Sequence, residues 1–481
     1  MIQPLDSHNQ RLLAQVRPPD WRNPDPASQY DLVVIGGGTA GLVCAVGAAG
    51  LGARVALVER GLLGGDCLNT GCVPSKTLLR SARAVHEARA AAAVGVRTAT
   101  HVDFEAVMTR VRARRADIAH HDSAARLASL GVHVFLGEAS FSGPRSVTVD
   151  GRTLRFRRAV IATGGRPSAP PGVRSPFLTS ENIFWLTEQP RELQVIGAGP
   201  IGCELAQAFA LLGTAVTLLD TAPRVLPRED PDASAIIARR LAEDGVAVST
   251  GIDPSRIDPS GIAPEPGTAV LVAAGRAPNV DGLNLEAAGV AHGAEGVQVD
   301  DALRTSNPRI YAAGDICSSF KFTHAADAMA RIVIQNALFF GRKRVSALVI
   351  PWCTYTFPEV AHVGVSSDEA TRAGAEAITI PLADVDRSVV DDETDGFVRV
   401  HHSGGRIVAA TIVAPHAGEL IGQVASVMRR GGSLGDLSAD MFPYPTVAES
   451  LRKVGDTYRR SRLTPGVRRL FERYFSLLRN T

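Results

Sequence analysis

Cys67 and Cys72 stand in the run Gly64-Gly65-Asp66-Cys67-Leu68-Asn69-Thr70-Gly71-Cys72-Val73-Pro74-Ser75-Lys76. A Cys-x4-Cys spacing lets a helical turn bring two sulfurs together, so that a disulfide can form and open as electrons come and go. The loop offers no histidine and no third cysteine, which leaves a metal site short of ligands. Lys76 follows on the same predicted helix, where its ammonium would lower a thiolate's pKa or stabilise a reduced cofactor. The other cysteines, Cys44, Cys203, Cys317 and Cys353, are isolated in sequence and are expected as small buried residues. Six cysteines in 481 residues are too sparse for a secreted disulfide scaffold, and one local pair in a reducing cytoplasm reads as catalytic or metal-binding.

A redox pair needs an electron source, and the sequence carries two dinucleotide-binding patterns that could supply one. The apolar run Tyr30 to Ile35 predicts a buried parallel strand. It leads into Gly36-Gly37-Gly38-Thr39-Ala40-Gly41, a small-residue helix from Leu42 to Leu51, and a strand from Arg54 to Val58 ending on Glu59. Gly36, Gly38 and Gly41 let backbone reach a pyrophosphate at a helix N-terminus, and Glu59 can accept from ribose hydroxyls. The pattern returns as Gln194-Val195-Ile196, then Gly197, Gly199 and Gly202 of Gly-x-Gly-x-x-Gly. A helix from Cys203 to Leu212 and a strand from Ala215 to Leu219 follow, ending on Asp220. The acid follows the last glycine by eighteen residues in both copies. Two such sites imply electron passage from one bound dinucleotide to another, and the glycines alone do not say which site holds which.

The bulk properties agree with a multidomain soluble enzyme. The chain is 45% hydrophobic and 21% charged with 46 glycines. A net charge of +2 implies no domain-wide basic surface, and no nucleic-acid motif is present. No apolar run is long enough to span a bilayer, and Met1 to Asp20 has no apolar signal region. A cytoplasmic setting is expected.

At these residues the chain resembles the class I pyridine nucleotide-disulfide oxidoreductases, which include dihydrolipoamide dehydrogenase, glutathione reductase and mercuric reductase. Further matches are Val160-Ile161-Ala162-Thr163-Gly164, Gly275-Arg276-Ala277-Pro278-Asn279 and Ile310-Tyr311-Ala312-Ala313-Gly314-Asp315, with Ile350-Pro351 through Glu359 similar to the start of the family's interface domain. The resemblance spans roughly Tyr30 to Leu451. It implies an α/β fold with two Rossmann-type domains, for FAD and for NAD(P)H, and an α+β C-terminal dimerisation domain. FAD would lie on the first glycine loop with Glu59, Lys76, Ala139, Thr163, Gly164, Asp315 and Thr323. NAD(P)H would lie on the second with Glu204, Asp220, Gly275 and Arg276. The resemblance also implies Asp315 at the flavin's ribityl-phosphate region, Lys76 paired with Glu204 beside the flavin ring, Cys72 as the thiolate facing the flavin, and Cys67 as the thiol that exchanges with substrate. It further implies a homodimer, in which Tyr444 and Glu449 reach the cysteine pair of the other subunit.

Three departures from the family pattern bear on substrate. In Phe442-Pro443-Tyr444-Pro445-Thr446-Val447-Ala448-Glu449, Tyr444 stands where disulfide-processing members place a histidine backed by the glutamate. An unperturbed phenol, with a pKa of about 10, is a poor base but a usable proton donor, which tilts the chemistry toward substrate reduction. Packing at the dimer seam is the alternative role for Tyr444. Phe-Pro-Tyr is similar to mercuric reductases, yet no cysteine follows Cys353, and neither their terminal cysteine pair nor an N-terminal metal-binding domain is recognisable. Gly251 to Gly267, with Pro254, Pro259, Pro264 and Pro266, predicts a clipped version of the family's antiparallel meander.

The predicted acceptor is an external disulfide or small sulfur compound, with a soft metal ion as the alternative and a membrane-docked redox sensor or relay as the rival of another class. Asp220 favours NADH over NADPH, with Arg224 as the residue that could accommodate a 2′-phosphate. His120-His121 and His401-His402 lack further ligands at metal spacing and read as solvated pairs, and His324 reads as structural. The expected layout is an irregular Pro-rich lead over 1–29, an FAD domain over 30–178 and 279–346, an NAD(P)H domain over 179–278, an interface domain over 347–456, and a basic amphipathic tail over 457–481. In that tail Thr464-Pro465 opens a helix whose Val467, Leu470, Phe471, Tyr474, Phe475 and Leu478 share one face. Arg459, Arg460, Arg462, Arg468, Arg469, Arg473 and Arg479 lie beside or before it, a pattern that fits either the enzyme's own surface or a membrane interface.

Overall fold

The computed structural model of the chain describes residues 2–170, 177–253 and 267–479. Two compact units emerge. One contains residues up to Ala222 together with Asp244–Leu348, and the other contains Pro223–Glu243 and Val349 onward. Among the described residues no helix is long and apolar enough to cross a membrane. Most of the clipped stretch, 254–266, lies outside the described residues.

The first unit is built on a largely parallel sheet. Tyr30–Ile35 runs between Val55–Glu59 and Arg152–Ile161, Val132–Leu136 extends one edge, and Ile310–Ala312 pairs with the end of Arg152–Ile161. The central strands Tyr30–Ile35 and Val55–Glu59 are near-continuous apolar runs because both faces are covered, and only Asp31 of Tyr30–Ile35 is not buried. The helix Thr39–Gly50 starts directly after the glycine loop, three residues before the sequence suggested, because Gly38 is the N-cap. Its small residues let the helix Thr323–Leu338 lie close: a Cβ on Gly47 would stand 2.7 Å from Ile334 Cδ1. A second parallel sheet follows the order Val246–Ser249, Ala215–Leu219, Glu192–Ile196, Thr268–Val272, with the helix Pro200–Leu211 after its glycine loop.

The lead is irregular only in part. Ser7–Val16 is a helix, capped by the Asp6 carboxylate accepting from the Asn9 N–H at 2.8 Å, with Asn9, Leu12 and Val16 buried. The prolines that pointed to an irregular lead lie outside it, and the Asp6 cap with Leu12 and Val16 on one face decides the local structure. Arg115, fully buried, donates to Asn9 Oδ1 at 2.9 Å and to the Asn69 carbonyl at 2.8 Å. The lead therefore braces the segment that carries Cys67.

The second unit centres on an antiparallel sheet in the order Pro351–Thr354, Glu359–Gly364, Arg406–Ala414, Phe397–Ser403, Glu376–Pro381. The helix Pro231–Glu243, expected with the nucleotide domain, belongs to this unit. Arg399 grips Asp230 with two bonds of 2.9 Å from Nη1 and Asp232 with one of 2.7 Å, and Trp352 donates to Glu229 at 2.7 Å. Chain order cannot reveal such long-range pairs. His401 and His402 also differ from expectation: both are buried beside a bulge in the strand Phe397–Ser403, which lies inside the sheet, and burial lowers both imidazole pKa values. The helix Glu449–Ser461 runs through position 457, so the tail begins later than predicted, with a separate helix at Pro465–Arg479.

Candidate active site

The two glycine loops repeat one geometry. A Cβ on Gly41 would stand 1.8 Å from the Gly36 carbonyl oxygen, and one on Gly202 would stand 1.8 Å from that of Gly197. Gly36 and Gly197 share a φ of 107° and back onto the Ala162 and Ala273 carbonyls. The middle glycines differ: Gly38 has only Gly65 Cα nearby, at 3.7 Å, and Gly199 has nothing within 4 Å. In each loop the outer glycines are shut by packing and the middle one faces open space, as close backbone approach to a pyrophosphate requires.

The acids match as well. Glu59 accepts from the N–H groups of Gly37 and Gly61, both at 2.5 Å, and Asp220 accepts from those of Ala198 at 2.5 Å and Ala222 at 2.8 Å. Burial raises the Glu59 carboxyl pKa against the pull of its two N–H donors. Gly164, at φ 67°, also faces open space, and Asp315 is held largely buried with its pKa raised by desolvation and opposed by Arg276. These residues fit one dinucleotide on each loop.

Cys67 lies in the short helix Gly65–Asn69, and Cys72 opens the helix Cys72–Ala90, whose N-terminal dipole favours negative charge. Both are free thiols within hydrogen-bonding reach of each other. A hydrogen bond from Cys67 lowers the Cys72 pKa to about 6, helped by the Thr323 hydroxyl, 3.3 Å from its sulfur, and by Lys76, against the opposing effect of burial. Cys67 moves the other way, raised by its bond to Cys72, by burial and by the Cys72 charge. Lys76 Nζ donates to Glu204 Oε2 at 2.8 Å, with Glu204 buried on the helix Pro200–Leu211. The surroundings thus favour the anionic form at Cys72 over Cys67.

Several predicted residues have other partners. Arg276, assigned to the second nucleotide, is ion-paired with Asp66 and lies 3.4 Å from Asp315, while donating to the Gly165 carbonyl at 2.8 Å. Gly275 beside it has open space around its Cα. Thr163 gives its hydroxyl to the Asn279 carbonyl at 2.8 Å, and Ala139 begins the strand Ala139–Gly143. Tyr444, 70% exposed in the second unit, donates to Asp386 at 2.9 Å, and Glu449 accepts from Arg452 at 2.6 Å. The Asp386 carboxylate raises the Tyr444 pKa and keeps the phenol protonated. Sequence reasoning missed Asp386, 58 residues away with no local signal. It also missed Asp66, although its place next to Cys67 was visible. Thr323, which the resemblance implies at FAD, stands 3.3 Å from the Cys72 sulfur.

The family profile described as pyridine nucleotide-disulphide oxidoreductase matches residues 30–330, and that of the corresponding dimerisation domain matches 350–454. The chain belongs to this family. Among pyridine nucleotide-disulphide oxidoreductases it is 34% identical to the mercuric reductase of Bacillus cereus, over 94% of this chain and 75% of that one. It is 32% identical to the dihydrolipoyl dehydrogenase of Bacillus subtilis (strain 168), over 88% and 97%. The solved HOCl-induced flavoprotein disulfide reductase RclA from Escherichia coli matches with a TM-score of 0.78 at 28% identity, covering 89% of this chain and 99% of that one. The family is FAD- and pyridine nucleotide-dependent, and its members are oxidoreductases acting on sulfur groups or a metal ion.

Proposed function

We propose that the chain reduces an external disulfide or small sulfur compound at the expense of NADH, with Cys67 as the exchanging thiol and Cys72 as the thiolate on the flavin side. The observation that carries this reading is the setting of Cys72, which opens the helix Cys72–Ala90 with the Thr323 hydroxyl 3.3 Å from its sulfur and Cys67 within hydrogen-bonding reach. Bound FAD would relay two electrons from the pyridine nucleotide to the Cys67–Cys72 disulfide. Opening that disulfide takes two electrons and one proton, leaving Cys72 as thiolate and Cys67 as thiol. Cys67 gives its proton to solvent and attacks one sulfur of a disulfide acceptor, breaking the S–S bond and releasing one thiolate, which takes a proton from Tyr444; Tyr444 is reprotonated from solvent. The Cys72 thiolate then attacks the Cys67 sulfur of the mixed disulfide, restores the Cys67–Cys72 bond and releases the second thiolate, which is protonated from solvent. Lys76, fixed by Glu204, favours the anionic state of Cys72.

NADH is favoured because the Asp220 carboxylate closes the strand where a ribose would bind, and would repel a 2′-phosphate. Arg224 is engaged with the Pro227 and Glu229 carbonyls at 3.1 and 3.2 Å. Reduction of a soft metal ion is the second reading, supported by the mercuric reductase relatives and by two adjacent sulfurs. The proposed assembly is a homodimer built through the dimerisation domain, and the proposed location is cytoplasmic with a peripheral place at a membrane, through the exposed tail helix.

The test is anaerobic turnover of the FAD-loaded protein with NADH and a panel of lipoamide, glutathione disulfide and mercuric ion. Cys67→Ser and Cys72→Ser should each lower disulfide reduction roughly a hundredfold or more, while reduction of FAD by NADH persists. Full disulfide reduction by both variants would remove the cysteine mechanism. Turnover with mercuric ion alone would select the second reading.

A further inference from the structure

The helix Glu449–Ser461 buries Leu451, Val454 and Gly455 in the second unit, and Tyr458 lies edge-on to the His402 ring at 5.1 Å. Beyond Tyr458 the burial ends. A new helix, Pro465–Arg479, starts with Thr464 Oγ1 accepting from the Val467 N–H at 3.4 Å, and none of its residues is buried. Leu470, Phe471, Tyr474, Phe475, Leu477 and Leu478 are 47–69% exposed. At about 100° per residue, these side chains and Val467 occupy one arc of about 160°. Arg468 and Arg479 border one edge of that arc and Arg473 the other, with Arg469 on the far side.

The charge is as uneven as the hydrophobicity. Residues 459–479 contain seven arginines against the single acid Glu472, whereas the whole chain carries a net charge of only +2. Arginines at the borders of an apolar arc can lay their stems along it and place their guanidinium groups in a headgroup layer. Aromatic rings such as Tyr474 suit the same boundary between apolar and wet surroundings. Anionic phosphate is the chemistry that complements this border.

Resting on the peripheral placement proposed above, we infer that Pro465–Arg479 is an interfacial anchor that lies flat on an anionic phospholipid surface, with its apolar arc inserted among the acyl chains. The helix spans about 22 Å and is too short to cross the bilayer.

The experiment is flotation of the FAD-loaded, full-length protein with vesicles of phosphatidylcholine alone, or with about one third phosphatidylglycerol, the charge-bearing component on which the attraction depends. Binding should need phosphatidylglycerol and fall roughly tenfold or more between about 50 and 500 mM salt. A chain ending at Leu463, and the double substitution Phe471→Ser/Phe475→Ser, should both lose binding while NADH-driven turnover stays within about twofold, because neither change touches the redox site. Equal binding to neutral vesicles would overturn the anionic assignment and leave a peripheral helix. No binding to either vesicle at low salt would overturn both. A dimer that falls apart when the chain ends at Leu463 would show that the arc is covered by a second copy instead. Vesicle binding by a full-length protein that turns over NADH with none of the acceptors would count against the redox reading alone.

Discussion

At the scale of single residues, the site depends on where one proton sits. Cys67 keeps its proton and donates to Cys72, while Thr323 and Lys76 add to the stabilisation of the Cys72 thiolate, bringing its pKa down to about 6. A lowered acid pKa means that the thiolate persists above that value and is lost as the pH falls through it. Alkylation of Cys72 in the reduced protein, followed by peptide mass spectrometry, should therefore rise through pH 6 and level off by pH 7–8, with Cys67 lagging throughout. Thr323→Val and Lys76→Met should each move the Cys72 midpoint upward. A wild-type midpoint at the ordinary thiol value of about 8.5 would show that these neighbours do not poise the pair. The cysteines and Lys76 were legible in the sequence because they sit together within one loop. Thr323, 251 residues from Cys72, could be linked to the sulfur only once the helix Thr323–Leu338 was placed.

Elements were legible where their signals are local and failed where a distant partner decides. Both glycine loops, their strands and the acids Glu59 and Asp220 follow from spacing, because every backbone N–H bond these acids accept closes within 22 residues. The lead was misjudged because composition outweighed a short capped helix whose burial depends on Arg112 and Arg115, more than a hundred residues on. Arg112 holds Asp6 at 2.5 Å, and Arg115 joins Asn9 to Asn69. Asn9→Ala removes a buried acceptor from Arg115 and should destabilise the protein by about 1–3 kcal/mol in urea denaturation, the usual range for an orphaned buried donor. Because Asn69 ends the helix that carries Cys67, Arg115→Ala should also speed alkylation of Cys67 in the folded protein. Wild-type denaturation midpoints for Asn9→Ala would show that the lead does not brace this segment.

On the scale of the whole molecule, the chain carries its sulfur pair in one unit and Tyr444, the proposed proton donor, in the other. Linear order could not show that Pro231–Glu243 joins the C-terminal unit, since Arg399 and Trp352, which hold its acidic approach, lie more than a hundred residues away. Nor could it show that Asp386, not Glu449, accepts from Tyr444. If the assembly is the proposed homodimer with Tyr444 serving the other subunit, each site is built from two chains. Tyr444→Phe removes the proton donor and should slow disulfide reduction roughly a hundredfold, within the usual range for a general acid, while flavin reduction by NADH is unchanged. Cys67→Ser should be equally poor. In a purified mixed dimer of one chain of each kind, both defects fall in the same site when the donor acts across the interface. The other site then holds an intact Cys67 and an intact Tyr444, so the mixed dimer should recover about half of wild-type turnover from two nearly inactive parents. When the donor serves its own chain, every site in the mixed dimer carries one defect, and activity stays at the level of the parents. Absence of recovery would therefore place Tyr444 with the cysteines of its own chain, whereas a Tyr444→Phe parent with wild-type turnover would put Tyr444 outside the reaction.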